Sequence, residues 1–466
     1  SAIDIARLRL WLSLVVDEDD LDPIETLPNL DYKIVCGNSL IGFPEGWNSP
    51  AFEKIEELKR EFYNETDEIR KKELKASIES EIQDRLKTSK RVFGYQVAFD
   101  FKLFFSEVWR EKGGFDVVIG NPPYGVSIKG EYRLTVSKQF EKVPDYEIYY
   151  YFIELSKRLL RTNGALTYII PNTILFNVYA NKYREEILKY WTIQEIIDCT
   201  TFKLFESAVV RNIILLFTKT TGGTVVGYRN TFDSKTFNDL ITVQREFLKL
   251  DEIQIFSQNW ALAFKLPKSI VDVIKTIKKG KKQLIETNPE ISQGLIAYDS
   301  YRGQSKEIIE SRAYHYIEYK DGLKKWLLGE DVTRYRVKWN GQHYIDYCDG
   351  IANPRDPKYF IGNRVLVREI TNPRVFAAFT NEELYNDPAV LIVKESIEGL
   401  DVYSLTAILN SDVVTFLHFN NSPKATKGDF PKILITDLKE LPVVKPSDAY
   451  KEALELNIDN PLAQSK

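Results

Sequence analysis

The chain of 466 residues has few of the side chains that build disulfide and metal sites. It contains three cysteines, three histidines and no methionine. Cys36, Cys199 and Cys348 form no CxxC pair, and the histidines lie far from one another, so we predict neither a disulfide framework nor a metal site. We expect the cysteines to be buried thiols and the histidines to be structural.

Long apolar runs and a strong charge of one sign are also missing. No apolar stretch approaches the roughly 18 residues of a membrane span, and no charged and then apolar leader opens the chain. A net charge of -4 excludes a protein that is basic throughout, although a local basic groove would still bind nucleic acid. With 44% hydrophobic residues the chain can bury a large core, and we expect a globular, cytoplasmic protein with no membrane partner.

Hydrophobic periodicity in the first quarter of the chain predicts helices and two strands. Apolar spacing predicts a helix over residues 3–16, and dense Glu and Lys with an apolar residue every three or four positions predict a solvated helical hairpin over 51–90. Residues 33–36 favour a short buried strand. The run FDVVIG, residues 115–120, favours a strand of the kind that a parallel sheet buries on both faces.

The alternation of helix and strand continues as far as residue 218. We predict helices over 146–161 and 181–190, and strands over 165–170, 193–198 and 209–218. This order is typical of a doubly wound α/β domain. We therefore divide the chain into an α/β domain over 1–235, with the charged insertion at about 48–92, a linker over 236–285, and an α+β domain over 286–466.

The sharpest chemical signal lies directly after the predicted strand over 115–120. It consists of Asn121, Pro122, Pro123 and Tyr124, which we call the NPPY turn. An exocyclic amine on an aromatic ring is a poor nucleophile because its lone pair is delocalised. The Asn121 side-chain oxygen and the Pro122 carbonyl can accept hydrogen bonds from both N–H groups, since the prolines hold a rigid turn. Tyr124 offers a flat face for stacking a base, worth about 1–3 kcal/mol.

The run VVIGNPPYG resembles the catalytic motif of S-adenosylmethionine-dependent amino methyltransferases. The resemblance is to the gamma-class N6-adenine DNA methyltransferases, including those of type IIG restriction-modification enzymes. AIDIARLRLWLSLV and LPNLDYKIVCGNSL look like further segments of that family, and the C-terminal stretch looks like its target-recognition domain. The resemblance implies a Rossmann-like methyltransferase domain, an α+β target-recognition domain, double-stranded DNA as partner, and a restriction-modification role.

The resemblance also assigns roles to residues. Asn38 and Ser39, with Asn121, would contact the cofactor, and Asn38 would meet its adenine. In the segment TTFKLFESAVVRNIILLF, Phe205 would stack on the second face of a flipped adenine, with Phe202 as the alternative. A role in core packing is an equally good interpretation for Phe205 and for Phe202. The lysine run over 275–282 would contact phosphate or end a solvated helix.

One motif of the family is missing. No acidic residue followed by a GxG turn, which holds the cofactor, occurs in the expected place, so we expect an N-terminally truncated domain that binds the cofactor weakly. An endonuclease could precede it. Two other functions stay open, namely methylation of RNA or of protein glutamine, and a DNA-binding specificity module without activity. The recognised DNA site and the oligomeric state are not predicted.

Overall fold

The computed structural model describes residues 2–16, 30–47, 50–126, 128–144, 147–205, 210–257, 259–422, 424–425 and 430–447. The chain divides into two compact units, Ser1–Leu250 and Asp251–Lys466. The predicted linker over 236–285 is thus split between the units and contains helices and strands. No helix in the described part of the chain has the length and apolar character that a membrane crossing needs.

The first unit is an α/β structure built on one six-stranded sheet. Its helices are α1 Ala2–Val16, α2 Pro50–Asn64, α3 Glu68–Phe93, α4 Phe101–Phe104, α5 Ser106–Lys112, α6 Gly130–Gln139, α7 Ile148–Leu159, α8 Asn181–Tyr190 and α9 Phe237–Thr242. Its strands are β1 Phe115–Gly120, β2 Leu160–Pro171, β3 Thr192–Cys199, β4 Asn212–Thr218, β5 Val225–Asn230 and β6 Glu246–Lys249. Short 3-10 helices cover Asn172–Leu175 and Val178–Ala180.

The sheet has the order β1-β2-β4-β3-β5-β6 and is mixed. β1 runs parallel to β2 and β3 runs parallel to β5, whereas β4 lies antiparallel between β2 and β3. Because β1 and β2 are parallel neighbours, their carboxyl ends lie side by side at one edge of the sheet. Loops at such an edge are where open α/β sheets place their sites.

The charged segment forms the predicted helical hairpin. Leu74, Ile78, Ile82 and Leu86 recur every four residues on α3 and pack with Phe62 and other apolar residues of α2 in one buried cluster. The remaining faces carry the Glu and Lys side chains, as expected of an amphipathic pair. The helix prediction for residues 3–16 is also confirmed, as α1.

Three expectations from the sequence are wrong. Residues 33–36 form no strand. Lys33 ends a turn, because Tyr32 has a positive φ of 61° and the Lys33 amide donates to the Leu30 carbonyl, and residues 35–36 have no regular secondary structure. β1 is a strand but is not buried on both faces, since it lies at the sheet edge and leaves Val117 57% and Ile119 79% exposed.

The third expectation concerned the cysteines. Cys199 alone is buried, and burial raises the pKa of its thiol to about 11. Cys36 is exposed because its segment lies outside the sheet, and Cys348 is half-buried. Within the described ranges no group of three or more His, Cys, Asp or Glu side chains is placed to hold a metal ion.

The described residues of the second unit form an α+β structure with three small sheets. Its helices are α10 Leu250–Gln254, α11 Ala261–Lys265, α12 Lys268–Lys278, α13 Leu284–Thr287, α14 Lys306–Glu310, α15 Val402–Leu409, α16 Asp412–Asn421 and α17 Ile435–Lys439. Its strands are β7 Lys282–Gln283, β8 Ile291–Gln293, β9 His315–Tyr316, β10 Lys324–Leu327, β11 Tyr344–Ile345, β12 Arg364–Arg368, β13 Ala377–Thr380, β14 Tyr385–Asn386, β15 Val390–Lys394 and β16 Pro442–Val443. Short 3-10 helices cover Ser300–Arg302, Gly329–Asp331 and Pro357–Phe360.

The central sheet of this unit, β13-β12-β15-β8, separates two hydrophobic cores. Val365 and Val367 of β12 face one cluster, and Leu366 faces the other. This alternation explains why the strand is apolar at successive positions, since both faces of the sheet are covered.

Two histidines, the buried His418 and the half-buried His315, belong to the interior of the second unit. His418 shares a hydrogen bond of 2.8 Å with the Thr371 hydroxyl, and His315 packs edge-on against Trp326. Burial lowers the pKa of each imidazole to about 4. These contacts agree with the structural role expected of them.

Candidate active site

The NPPY turn begins directly where β1 ends, at Gly120. Asn121 and Pro123 are exposed, Pro122 is buried and Tyr124 is half-buried. The buried proline anchors the turn, while the neighbouring amide side chain is accessible to a ligand. The contact between Asn121 and an amine stays a prediction.

The turn is held in place from its far end. Gly125 follows Tyr124 with a φ of 69°, a conformation that glycine adopts easily and other residues rarely do. Its amide donates a hydrogen bond of 3.1 Å to Oε2 of Glu147. The backbone on both sides of the turn is thus fixed, by the β1 ladder before it and by Glu147 after it.

A close approach to β2 explains the glycine before the turn. Gly120 pairs with Tyr168, and a Cβ atom at Gly120 would lie 3.1 Å from Cε1 of the Tyr168 ring. The Tyr168 hydroxyl in turn shares a hydrogen bond of 2.7 Å with Ser156 of α7. A larger residue at position 120 would push this ring or displace Asn121.

The loops that follow β2 and β3 are joined by buried polar groups. The Asn172 side chain donates from Nδ2 to the Thr200 hydroxyl at 2.9 Å, and the Thr200 amide donates to Oδ1 of Asp198 at 2.9 Å. Oδ2 of Asp198 accepts from the Tyr228 hydroxyl at 2.8 Å. These contacts fix the start of residues 200–205, which carry both candidate stacking phenylalanines.

Phe202 and Phe205 are both half-buried. Phe202 packs edge-on against Phe237 of α9, with ring centroids 5.4 Å apart. Residues 206–209, also part of the predicted segment, lie outside the described residues. The choice of Phe205 as the stacking residue therefore stays a prediction.

Asn38 and Ser39 lie in a tight loop that packs near α6 and α7. A Cβ atom at Gly37 would collide with Phe99, and Leu40 is buried in a cluster with Val136 and Tyr151. The exposed Asn38 side chain accepts through Oδ1 from the Leu40 amide at 3.1 Å and from the Tyr132 hydroxyl at 3.3 Å. Tyr132 lies on α6, eight positions after Tyr124, so it links the Asn38 loop with the chain that follows the NPPY turn.

The loop after β2 is supported by a buried arginine. Arg184 donates from Nη1 to the carbonyls of Ile174 and Asn177 at 3.1 and 2.9 Å, and burial lowers the pKa of its guanidinium to about 10. On α7, Tyr149 shares a hydrogen bond of 3.2 Å with the Thr173 hydroxyl. Burial raises the pKa of the Tyr149 phenol far above its usual range.

The sequence did not indicate these supporting residues. Glu147 is 22 positions from Gly125, and Thr200 is 28 positions from Asn172. No local pattern pairs residues at such separations. The only signal in the sequence was positional, because Asn172 directly follows one strand as Asn121 directly follows another.

The lysine run of the second unit is only partly available for a ligand. Lys278 donates to Oδ1 of Asn421 at 2.9 Å, and burial lowers the pKa of its ammonium to about 8. Lys275 pairs with Asp251 at 2.6 Å. Lys279, Lys281 and Lys282 are exposed.

Comparison with known proteins identifies the class of both ends of the chain. Residues 1–205 match the family model described as Eco57I restriction-modification methylase, and residues 324–443 match the TaqI-like C-terminal specificity domain. Each match spans less than half of the chain. The chain thus combines an Eco57I-like methylase domain with a TaqI-like specificity domain, which confirms the resemblance seen in the sequence.

Individual relatives are similar over different lengths. A putative type II restriction enzyme and methyltransferase of Methanocaldococcus jannaschii is 25% identical over 99% of this chain and 44% of its own length. A type II methyltransferase of Thermus thermophilus is 24% identical over 76% of this chain and 77% of its own. The chain therefore spans less than half the length of the first relative.

Solved structures are similar in part as well. The type IIG restriction endonuclease BpuSI aligns with 74% of this chain and 48% of its own, at 13% identity and a TM-score of 0.29. The type IIL restriction-modification enzyme MmeI, solved in complex with DNA, aligns with 82% and 57%, at 11% identity and a TM-score of 0.43.

Proposed function

We propose that the chain is the methyltransferase and target-recognition part of a restriction-modification enzyme. It transfers a methyl group from S-adenosylmethionine to N6 of an adenine that is flipped out of double-stranded DNA. The family matches support a DNA methyltransferase of this system. The NPPY turn at the end of β1 supports the amine of adenine as acceptor, and an endonuclease in the same polypeptide stays a prediction.

The observation that carries the proposal is the exposed Asn121 beside the buried Pro122. The Asn121 side-chain oxygen and the Pro122 carbonyl accept the two hydrogens of the adenine amine, so the nitrogen lone pair is less delocalised into the ring. The two acceptors would thus hold N6 with its lone pair available to the methyl group that bound S-adenosylmethionine would supply. Fixed acceptors provide the rate acceleration through positioning and electrostatic stabilisation, since they need no reorganisation during the reaction.

The flipped base needs a pocket outside the duplex. Leaving the stack costs a few kcal/mol, which stacking on aromatic side chains offsets. Tyr124 supplies one face, because it is half-buried and follows the amine acceptors within the same turn. Phe205 supplies the second face in our proposal, with Phe202 as the alternative.

The Asn38 loop fits the adenine end of the cofactor. The two hydrogen bonds that Oδ1 accepts orient the exposed Asn38 amide, which leaves Nδ2 as a donor to a ring nitrogen. Ser39 adds a hydroxyl beside it, and Asn121 is the third residue that we assign to the cofactor. When bound, S-adenosylmethionine supplies the activated methyl group.

The second unit would recognise the DNA sequence. Side chains that read base edges in the major groove would set the site, and the exposed Lys279, Lys281 and Lys282 would contact phosphates. The half-buried Lys278, which donates to Asn421, takes no part in this contact. Such phosphate contacts make binding weaker as the salt concentration rises.

The test is transfer of labelled methyl groups to duplex DNA, RNA and protein, followed by digestion of the DNA to nucleosides. It uses residues 1–466 and any longer natural form of the protein. We expect the label in N6-methyladenine from duplex DNA. Label in RNA or protein alone would overturn the proposal. If every form binds DNA but none transfers a methyl group, the proposal is also wrong and the chain is a DNA-binding specificity module.

A second measurement tests the pocket. 2-Aminopurine at the target position becomes more fluorescent when it leaves the stack. We expect Tyr124→Ala to reduce this signal and Tyr124→Phe to preserve it, because phenylalanine retains the stacking face. An unchanged signal in Tyr124→Ala would remove this residue from the pocket.

A further inference from the structure

Glu147 stands at the N-cap of α7 but does not cap that helix. Its backbone has the extended conformation of an N-cap residue, and its side chain makes no capping hydrogen bond. Asp, Asn, Ser and Thr are the usual residues at this position, because their short side chains reach the first helical amides. The Glu147 carboxylate instead accepts the hydrogen bond from Gly125, directly after the NPPY turn.

The helix that carries Glu147 is firmly packed. Ile148, Tyr149 and Tyr150 follow it and are buried. The Tyr149 hydroxyl is bonded to Thr173 in the loop after β2, and the Tyr150 carbonyl accepts from Tyr183 at 3.3 Å. The backbone at Glu147 therefore has little freedom to follow a movement of the turn, and it anchors the side chain that accepts from Gly125.

We propose that Glu147 is a positioning residue for the NPPY turn. By holding the Gly125 amide it fixes where the Asn121 side chain and the Pro122 carbonyl point, without contacting the substrate itself. This inference rests on the methyl transfer proposed above. Misplacing reacting groups by about 1 Å can cost on the order of a hundredfold in rate, so one hydrogen bond at the base of the turn can matter.

Three substitutions at this position separate the possible roles. Glu147→Gln keeps an acceptor at the same reach and removes the charge. Glu147→Asp keeps the charge but is one methylene too short for Gly125, and it provides α7 with a usual N-cap residue. Glu147→Ala removes both properties. Glu141→Ala removes an exposed carboxylate from the preceding loop and is the matched control.

The kinetic experiment measures kcat and KM for duplex DNA in the longest natural form that transfers methyl groups. We expect Glu147→Gln and Glu141→Ala to stay within about twofold of the unsubstituted protein, and Glu147→Asp and Glu147→Ala to lose about 10- to 100-fold in kcat at an unchanged KM. An unchanged kcat in Glu147→Ala would overturn the proposal. An equal loss in Glu147→Gln would also overturn it, because the charge would then be the essential property.

Amide hydrogen exchange gives a readout that does not depend on activity. We expect faster exchange in the peptide that contains residues 121–126 for Glu147→Ala and Glu147→Asp, with the thermal unfolding midpoint of Glu147→Asp maintained. Unchanged exchange in both variants would overturn the positioning role. If the unsubstituted protein transfers no methyl group, the proposed function fails, whereas the exchange pattern still tests the contact.

Discussion

β1 in the first unit and β12 in the second are similar in sequence, yet their surroundings differ. Each is short and contains three successive apolar residues, VVI in FDVVIG and VLV in RVLVR. Val365, Leu366 and Val367 are fully buried between two cores, whereas Val117 and Ile119 of β1 are largely exposed. An apolar run therefore predicts a strand, but its burial depends on whether neighbouring elements cover both faces.

The comparison of β1 with β12 also separates the residues that we assign to function from those that stabilise the fold. The residues that we assign to chemistry follow the exposed edge strand β1, where a ligand can approach. The interior of the second unit has the opposite character, since it is built from buried apolar residues and contains the buried His418. Substitutions near β1 should therefore change activity, and substitutions in β12 should change the free energy of unfolding.

The largest expected effect is at the end of β1. Asn121→Ala removes one of two acceptors of the amine and should lower kcat by at least about 100-fold, by analogy with the loss of a single group that stabilises a transition state. DNA binding and the unfolding midpoint should not change, because Asn121 is exposed. Asn64→Ala, at an exposed position of the helical hairpin, is the control for methyl transfer rate. Undiminished transfer by Asn121→Ala would remove this residue from the mechanism.

The second prediction tests β12. Leu366→Ala removes a fully buried side chain and should lower the free energy of unfolding by about 2–5 kcal/mol. Leu366→Met retains most of the volume and should cost less than about 1.5 kcal/mol. Chemical denaturation followed by fluorescence measures both values. A loss below about 1 kcal/mol for Leu366→Ala would mean that this core adapts to the cavity.

Most strands and helices of the first unit could be predicted, because each has a strong local period. The position of the NPPY turn followed from an apolar run that ends at two prolines, which cannot continue a strand ladder. Residues 33–36 were misassigned because their apolar character gives no information on the positive φ of Tyr32. The bond between Gly125 and Glu147 joins residues 22 positions apart, and such pairings depend on the fold.

The third prediction concerns the buried His418. Its imidazole has a pKa of about 4 in the folded chain and about 6.5 when unfolded, so the unfolded state binds the proton first as the pH falls. Its contribution to stability is present above about pH 6.5 and is lost as the pH falls towards 4. Between pH 7 and 5 the free energy of unfolding should fall by about 2 kcal/mol more than in His418→Gln. If the free energy of unfolding fell by the same amount in both proteins between pH 7 and 5, a group other than His418 would cause the loss of stability.

The smallest effect is expected on the exposed face of β1. Ile119 is 79% exposed, so Ile119→Thr removes little buried area and retains a β-branched side chain suited to a strand. The free energy of unfolding of residues 1–466 should change by less than about 0.5 kcal/mol, the usual range for surface positions. A loss near that of Leu366→Ala would mean that another surface covers this face in solution. β1 and β12 would then no longer differ in burial, and the sequence prediction that β1 is buried on both faces would be correct.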